Sequence, residues 1–134
     1  MAKITAEMKE TIETAKVPVV ATATKDGKPN AVPITFTKVI SDNEILVMDN
    51  FMLKTRQNVD SNPQVAISVW NLESKKAFQF KGPAKVETSG KAFDEGVEWV
   101  KSKAPHLNPK AAVVVTVEEI YNVAGGPDAG KRID

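Results

Sequence analysis

Cysteine is absent from the 134-residue chain, and histidine occurs once, as His106. Without thiols the chain forms no disulfides, thiolate nucleophiles or cysteine-ligated zinc and iron–sulfur sites, and it suits a reducing compartment. A single histidine excludes a multi-histidine metal site and would have to serve any Ser-His-Asp arrangement. We therefore predict no metal centre and leave the catalytic residues unassigned.

The chain also lacks a large excess of either charge, because 18 Lys and Arg residues balance 17 Asp and Glu residues. A net charge of +1 and only 6% aromatic residues argue against a barrel that binds single-stranded nucleic acid. No apolar run approaches the roughly 20 residues of a membrane span, and the N-terminal residues lack the apolar core of a signal peptide. We expect a soluble cytoplasmic protein in which phosphate binding requires a local cluster of charge.

Hydrophobic residues make up 42% of the chain, and no linker or repeat divides it, so we predict one domain over 1–134 with a tail at 124–134. Thr5 is a good N-cap for a first helix, and further helices are predicted at 54–60 and 89–104. Strands are predicted at 17–24, 30–39, 45–49, 64–70, 76–81, 84–87 and 111–117, with 120–123 continuing the last one. The fold class is mainly β, a six- to seven-stranded antiparallel barrel, closed or half-closed, with a sandwich as the alternative.

Asp26-Gly27 between the first two strands is a strong hairpin signal. Pro29 and Pro33 lie on the second strand and lack the N–H group that a ladder needs. This strand is therefore predicted to be an edge, a bulge or a strand with one unpaired side.

The segment from Asp49 to Asn58 is the most informative about a binding site. A strand ends in Asp-Asn, an apolar loop follows, and Lys54-Thr55-Arg56 opens a helix whose free N–H groups attract anions. These residues predict a phosphate-binding site, and an ordinary solvent-exposed helix N-terminus is the alternative. On a later strand Gln79 offers an amide donor and acceptor that could read a heterocycle edge, although a half-exposed strand carries such residues too.

The tail from Gly125 to Lys131 matches the first seven positions of a P-loop, but Arg132 follows and no helix can begin there. A P-loop is therefore rejected. A flexible tail and a tail that orders over a ligand both stay open.

In order, the segments are an amphipathic helix, a strand–Asp-Gly–strand unit, a third strand, Lys54-Thr55-x-x-Asn58, and Asn62-Pro63-x-Val65-Ala66-Ile67. This order resembles the pyridoxamine-phosphate-oxidase-like split barrels, in particular their small FMN-binding members from archaea and anaerobes. The likeness covers roughly residues 8–123 and is most specific over 45–69.

The resemblance implies a homodimer with FMN at the subunit interface. Lys54 and Thr55 would hold the FMN phosphate, with Arg56 and Asn58 nearby. The rest of the site would comprise Met48, Asp49 and Asn50 along the ribityl chain and ring, the second-strand backbone at Val32, Pro33, Ile34 and Thr35, and Gln79 and Trp70 from the partner subunit.

The expected function is an FMN-dependent oxidoreductase or reductase that acts on a small-molecule substrate or electron donor. A non-catalytic flavin carrier, an electron-transfer protein and a deazaflavin-binding relative are the alternatives. Residues 45–49 lack the arginines with which vitamin oxidases of the family bind pyridoxal phosphate, so the resemblance does not imply vitamin oxidation. His106 does not match the histidine of heme-degrading relatives convincingly.

Overall fold

Eight β-strands and three α-helices make up the computed structural model, which describes residues 2–134. None of these three helices is long and apolar enough to cross a bilayer. In chain order the elements are α1 (Ala6–Thr14), β1 (Val19–Ala23), β2 (Pro29–Pro33), β3 (Thr37–Ser41), β4 (Glu44–Asp49), α2 (Lys54–Ser61), β5 (Gln64–Asn71), β6 (Lys76–Glu87), α3 (Lys91–Lys103), β7 (Ala111–Thr116) and β8 (Glu119–Asn122).

The strands are antiparallel and form two half-barrels that share the long strand β6. The order along the sheet is β2-β1-β5-β6-β7-β4-β3, and β8 pairs with β6 outside this path. The first half of β6 pairs with β5 and β8, and from Ala84 onward it pairs with β7. The predicted mainly β, split-barrel fold is confirmed.

The change of partner along β6 occurs at Gly82-Pro83, where the chain crosses the end of β7. A Cβ atom on Gly82 would lie 1.8 Å from the carbonyl oxygen of Thr116. Only glycine allows the two backbones to approach this closely. This contact therefore lets one strand serve both halves of the barrel.

The helices occupy three different places around the barrel. Met8 and Ile12 of α1 and Val59 of α2 join the interior core around the fully buried Phe80. The two helices lie at opposite ends of β5, because α2 ends at Ser61 just before that strand begins and Asn71 at its far end donates to Thr14 of α1. The third helix, α3, packs on the outer side of β4 and β7 through a second core of Leu46, Met48, Ala112, Val114 and Val100.

Several predicted elements are confirmed. Thr5 caps α1 by accepting a hydrogen bond from the N–H of Met8, and the Asp26-Gly27 turn joins β1 and β2. β2 forms one edge of the sheet, as its prolines predicted, because it pairs with β1 alone.

Three strand predictions need correction. The run 30–39 is two strands, β2 and β3, because the chain turns at 34–36 and the hydroxyl of Thr37 donates to the carbonyl of Ile34. The runs 76–81 and 84–87 form the single strand β6. The segment 120–123 does not continue β7; as β8 it pairs with the first half of β6, after a crossing where Glu118 N–H donates to Lys81 O.

The tail folds back along β8. Tyr121 forms a bridge with Arg132, and the amide of Ile120 donates to the Asp134 carboxylate at 2.9 Å. The Arg132 guanidinium, assisted by that amide, lowers the pKa of Asp134 to about 2. The charged carboxylate therefore persists well into acidic solution, and the tail covers the outer edge of β8.

We predict that Gly82→Ala destabilises the chain by about 2–4 kcal/mol, because the methyl group would collide with backbone at Thr116 and not with a movable side chain. Urea denaturation at fixed protein concentration measures this. The matched control is Gly125→Ala, where a Cβ atom meets nothing within 4 Å and the change should stay within about 0.5 kcal/mol. Equal stabilities for the two variants would contradict this explanation of the crossing.

Candidate functional site

A cleft of about 420 Å³ opens beside the free edge of β2. Its volume falls in the range of roughly 300–1,000 Å³ that is typical of small-molecule sites. It is lined by Val32, Pro33, Ile34, Thr35, Phe36, Met48, Asn50, Phe51, Met52, Leu53, Lys54, Thr55 and Leu107. Eight of the twelve predicted site residues are in this lining: Val32, Pro33, Ile34, Thr35, Met48, Asn50, Lys54 and Thr55.

One end of the cleft is suited to an anion. Lys54 and Thr55 are the first two residues of α2, whose first N–H groups have no acceptor within the helix. The residue before the helix, Leu53, provides no side-chain cap. No carboxylate in the described chain pairs with Lys54. Free amides, a helix dipole and an unpaired ammonium group therefore meet at one point.

The cleft lining also contains an unsatisfied acceptor. Asn50 Oδ1 is buried and has no hydrogen-bond partner within residues 2–134. A buried amide oxygen without a partner costs about 1–3 kcal/mol, so it is expected to meet a donor from outside this chain. The remaining walls are mostly apolar, and they include Ile34, Phe36, Met52 and Leu107.

Asp49 differs from its prediction, because it lies outside the cleft wall. Its carboxylate is fully buried, 3.1 Å from Arg56 Nη1 and 3.7 Å from Lys110 Nζ. It also accepts the N–H of Met52 at 2.9 Å. Through these contacts Asp49 supports the loop at 50–53.

Arg56 and Asn58, which are expected near a phosphate, bond to other residues of the protein. Arg56 is engaged by Asp49 and, at 3.3 Å, by Asp60. Asn58 lies on the buried side of α2, and its amide donates to the Thr22 hydroxyl at 3.0 Å. Neither residue lines the cleft, and both hold α2 in place.

The sequence profile of the pyridoxamine 5′-phosphate oxidase family matches residues 4–124 of the chain. This match spans most of the fold and the whole cleft. The chain belongs to this family. An uncharacterised protein of Methanocaldococcus jannaschii is 40% identical over 133 residues, which cover 98% of this chain and 88% of that protein.

Solved structures agree with the family assignment. The chain is similar to HupZ of group A Streptococcus, with a TM-score of 0.83, 29% identity, and coverage of 95% of this chain and 99% of that one. It also shares its fold with an FMN-binding protein of Syntrophomonas wolfei, with a TM-score of 0.78, 14% identity, and coverage of 88% and 84%.

Two of the predicted site residues, Gln79 and Trp70, lie away from the cleft of their own chain. Gln79 lies on the outer face of β6, opposite Ser68 of β5 and Tyr121 of β8. Trp70, with 44% of its surface exposed, lines a separate groove that shares only Pro33 with the cleft lining. Within one chain, the structure does not bring Gln79 or Trp70 to the other site residues.

Several residues around the site could not be read from the local sequence. Phe36 and Leu107 line the cleft from loops 71 positions apart, and Lys110 Nζ donates to the carbonyl of Met52. Asn30 and Thr22 are linked to Thr55 through side-chain hydrogen bonds. For Asn30 and Thr22 the sequence signal is a polar residue at an inward position of a short strand, and Phe36, Leu107 and Lys110 have no such local signal.

We predict that Asp49→Asn lowers the free energy of unfolding by about 2–4 kcal/mol, because it leaves two cations without their buried partner. Arg56 and Lys110 are partly solvated, at 28% and 53% side-chain exposure, so the loss is expected below that of a fully buried ion pair. Denaturant titration gives the value. Asp60→Asn removes the other, half-exposed partner of Arg56 and should cost less than about 1 kcal/mol; a similar cost for both would refute a special role of Asp49.

Proposed function

We propose that the chain binds FMN in this cleft as a homodimer and acts as an FMN-dependent oxidoreductase. The observation that carries the proposal is the pairing of an anion-binding end at Lys54 and Thr55 with a mostly apolar cleft beside the backbone of β2. FMN has the same division, because a phosphate is joined through a polar ribityl chain to a flat ring.

The residues present fit this cofactor. Lys54, the Thr55 hydroxyl and the first amides of α2 would hold the phosphate. Asn50 Oδ1 would accept a hydrogen bond from the ring or the ribityl chain, which would satisfy an otherwise orphaned atom. The free edge of β2 would face the ring at Pro33, where no N–H group is lost.

A bound flavin supplies hydride and single-electron chemistry. The chain's own contribution would be binding, orientation and exclusion of water, because Lys54 is the one ionisable residue among the thirteen that line the cleft. This composition supports a role in which the protein positions reactants and does not itself transfer protons. Substrate turnover with reduced nicotinamide as donor would separate an oxidoreductase from a flavin carrier.

The outer face of one half-barrel supports the homodimer. Small and half-exposed side chains cover this face, whereas α1 and α2 pack on the interior and α3 packs on the other half. The face contains Val19, Ala21, Ala66, Ser68, Ala77 and Gln79. The alanine and serine residues of this face allow close packing against a second copy, and β2 connects the face to the cleft.

Exposed apolar residues border both regions. Phe51 and Leu53 beside the cleft are 81% and 71% exposed, and Trp70 and Leu72 beside the sheet face are 44% and 84% exposed. A second copy would cover such side chains. In that arrangement Gln79 and Trp70 would reach the site of the partner, as the family resemblance implies.

The first test is cofactor binding. We predict that the purified protein contains or binds FMN at about one per chain, and that Lys54→Ala raises the FMN dissociation constant roughly 10- to 100-fold, as expected for a charge-assisted hydrogen bond. Fluorescence titration measures this. Riboflavin, which lacks the phosphate, should bind both proteins equally, and Lys9→Ala on α1 at the other end of β5 is the control.

An unchanged FMN affinity in Lys54→Ala would remove the phosphate assignment. A chain that binds no FMN would remove the proposal as a whole.

The second test is assembly. We predict that Ser68→Arg in the centre of the bare face converts a dimer to a monomer, because a long charged side chain prevents close packing of the two sheets. Analytical ultracentrifugation gives the mass, and FMN binding should weaken in parallel. Ile40→Arg, on the exposed side of β3, should leave the dimer intact; a wild-type monomer would contradict the proposed assembly.

A further inference from the structure

We infer that Asn30 is a positioning residue that directs the proton of the Thr55 hydroxyl into the cleft. The inference rests on the proposed function, since it concerns the end of the cleft that would hold the phosphate. Asn30 lies on β2 and is not among the residues that line the cleft. Its effect would therefore act through Thr55 alone.

The hydrogen bonds around Asn30 form a chain. Asn30 Nδ2 donates to Thr55 Oγ1 at 3.0 Å and to Thr22 Oγ1 at 3.3 Å. Asn58 Nδ2 donates to the same Thr22 oxygen at 3.0 Å. Asn30 and Thr22 are directly paired across the β1–β2 hairpin, so their side chains share one face.

Three of the four residues in this hydrogen-bond network are buried, and Asn30 is half-buried. Thr55 is 3% exposed, Thr22 is 5% exposed and Asn58 is 7% exposed. Apolar residues at these positions would pack between α2 and the hairpin without the cost of desolvating polar groups. The polar groups therefore suggest a purpose beyond joining the helix to the sheet.

The direction of the bonds specifies what Thr55 can do. An amide NH₂ group only donates, so Thr55 Oγ1 is an acceptor toward Asn30. A hydroxyl has a single proton, and that of Thr55 has no acceptor among residues 2–134. Because Thr55 lines the cleft at the start of α2, its proton is left for a ligand at that end.

A phosphate has acceptor oxygens only, apart from a bound proton, and so it needs a hydroxyl that donates. With Asn30 in place the hydroxyl is held in that orientation before the ligand arrives. Without Asn30 the hydroxyl can rotate, and part of the binding free energy would be used to orient it. Thr22, which accepts from both amides, holds Asn30 in the correct place.

The test is a double-mutant cycle on ligand binding. Asn30→Leu removes the amide and keeps a side chain of similar size, and Thr55→Val removes the hydroxyl. We expect Asn30→Leu to raise the FMN dissociation constant roughly 3- to 10-fold and to have no further effect in the Thr55→Val background. Thr55→Ser keeps a hydroxyl, so in that background Asn30→Leu should again weaken FMN binding.

Two further measurements separate positioning from a structural role. Riboflavin affinity should be the same in all variants, and the ³¹P chemical shift of bound FMN should change in Asn30→Leu. Should Asn30→Leu fail to fold, Asn30→Asp serves instead. The introduced carboxylate accepts the Thr55 proton, and FMN should then bind more weakly than it does to the Thr55→Val variant.

The outcomes distinguish this inference from the function on which it rests. The role of Asn30 would be overturned if the fold-changes in the FMN dissociation constant of the two single variants multiplied in the double variant. It would also be overturned if Asn30→Leu weakened riboflavin and FMN binding equally. If Lys54→Ala weakens FMN binding while Asn30→Leu does not, the inference is wrong and the phosphate site stands. If the wild-type chain binds no FMN, both are wrong.

Discussion

The buried carboxylate of Asp49 connects four segments on which the site depends. It ends β4, accepts the N–H of Met52 in the following loop, pairs with Arg56 of α2, and lies 3.7 Å from Lys110 before β7. A buried charge is tolerated only where several donors surround it. The loop at 50–53 therefore has little freedom, and the start of α2 stands in one position relative to the cleft.

The two halves of the barrel differ in what covers their outer sides. The outer side of β4 and β7 has large apolar residues such as Leu46 and Met48, and α3 covers it. Gly96 permits that contact, since a Cβ atom there would lie 2.3 Å from the Met48 sulfur. On the other half, β1 and β5 carry small outward side chains such as Ala21, Ala66 and Ser68, and none of the helices described within residues 2–134 packs on them. The chain is thus built as one covered half and one half suited to a partner.

Local chemistry made much of this fold predictable. The capped first helix, the Asp26-Gly27 hairpin and the edge strand with Pro29 and Pro33 each follow from rules that act over a few residues. Lys54 and Thr55 were recognisable because a helix start is also a local feature. What short-range patterns could not show is that β6 is one strand, since Gly82-Pro83 usually signals a break, and here it marks a close crossing of Thr116.

Strand alternation explains why neighbouring residues of the predicted site have different surroundings. Met48, Asp49 and Asn50 were grouped by position along the chain, yet neighbouring residues of a strand face opposite sides. Met48 and Asn50 line the cleft and Asp49 points away from it, to the ion pairs below. Arg56 and Asn58 reach Asp49 and Thr22, respectively, from different sides of α2. Their residue types are also common at phosphate sites, but here both side chains bond to other residues of the protein.

This separation of ligand-facing and supporting residues explains how the proposed cofactor site could work with a single ionisable group in its lining. Lys54 is the one charged residue in the cleft lining, and the other charges nearby are neutralised by each other beneath it. A cofactor that brings its own redox chemistry needs position and a suitable dielectric more than it needs acids and bases. The polar residues around the cleft would accordingly serve orientation: Asp49 holds the loop, Asn58 and Thr22 join α2 to the hairpin, and Asn30 is proposed to orient the Thr55 hydroxyl. In the proposed site, specificity would then depend on hydrogen bonds whose directions are set before the ligand binds.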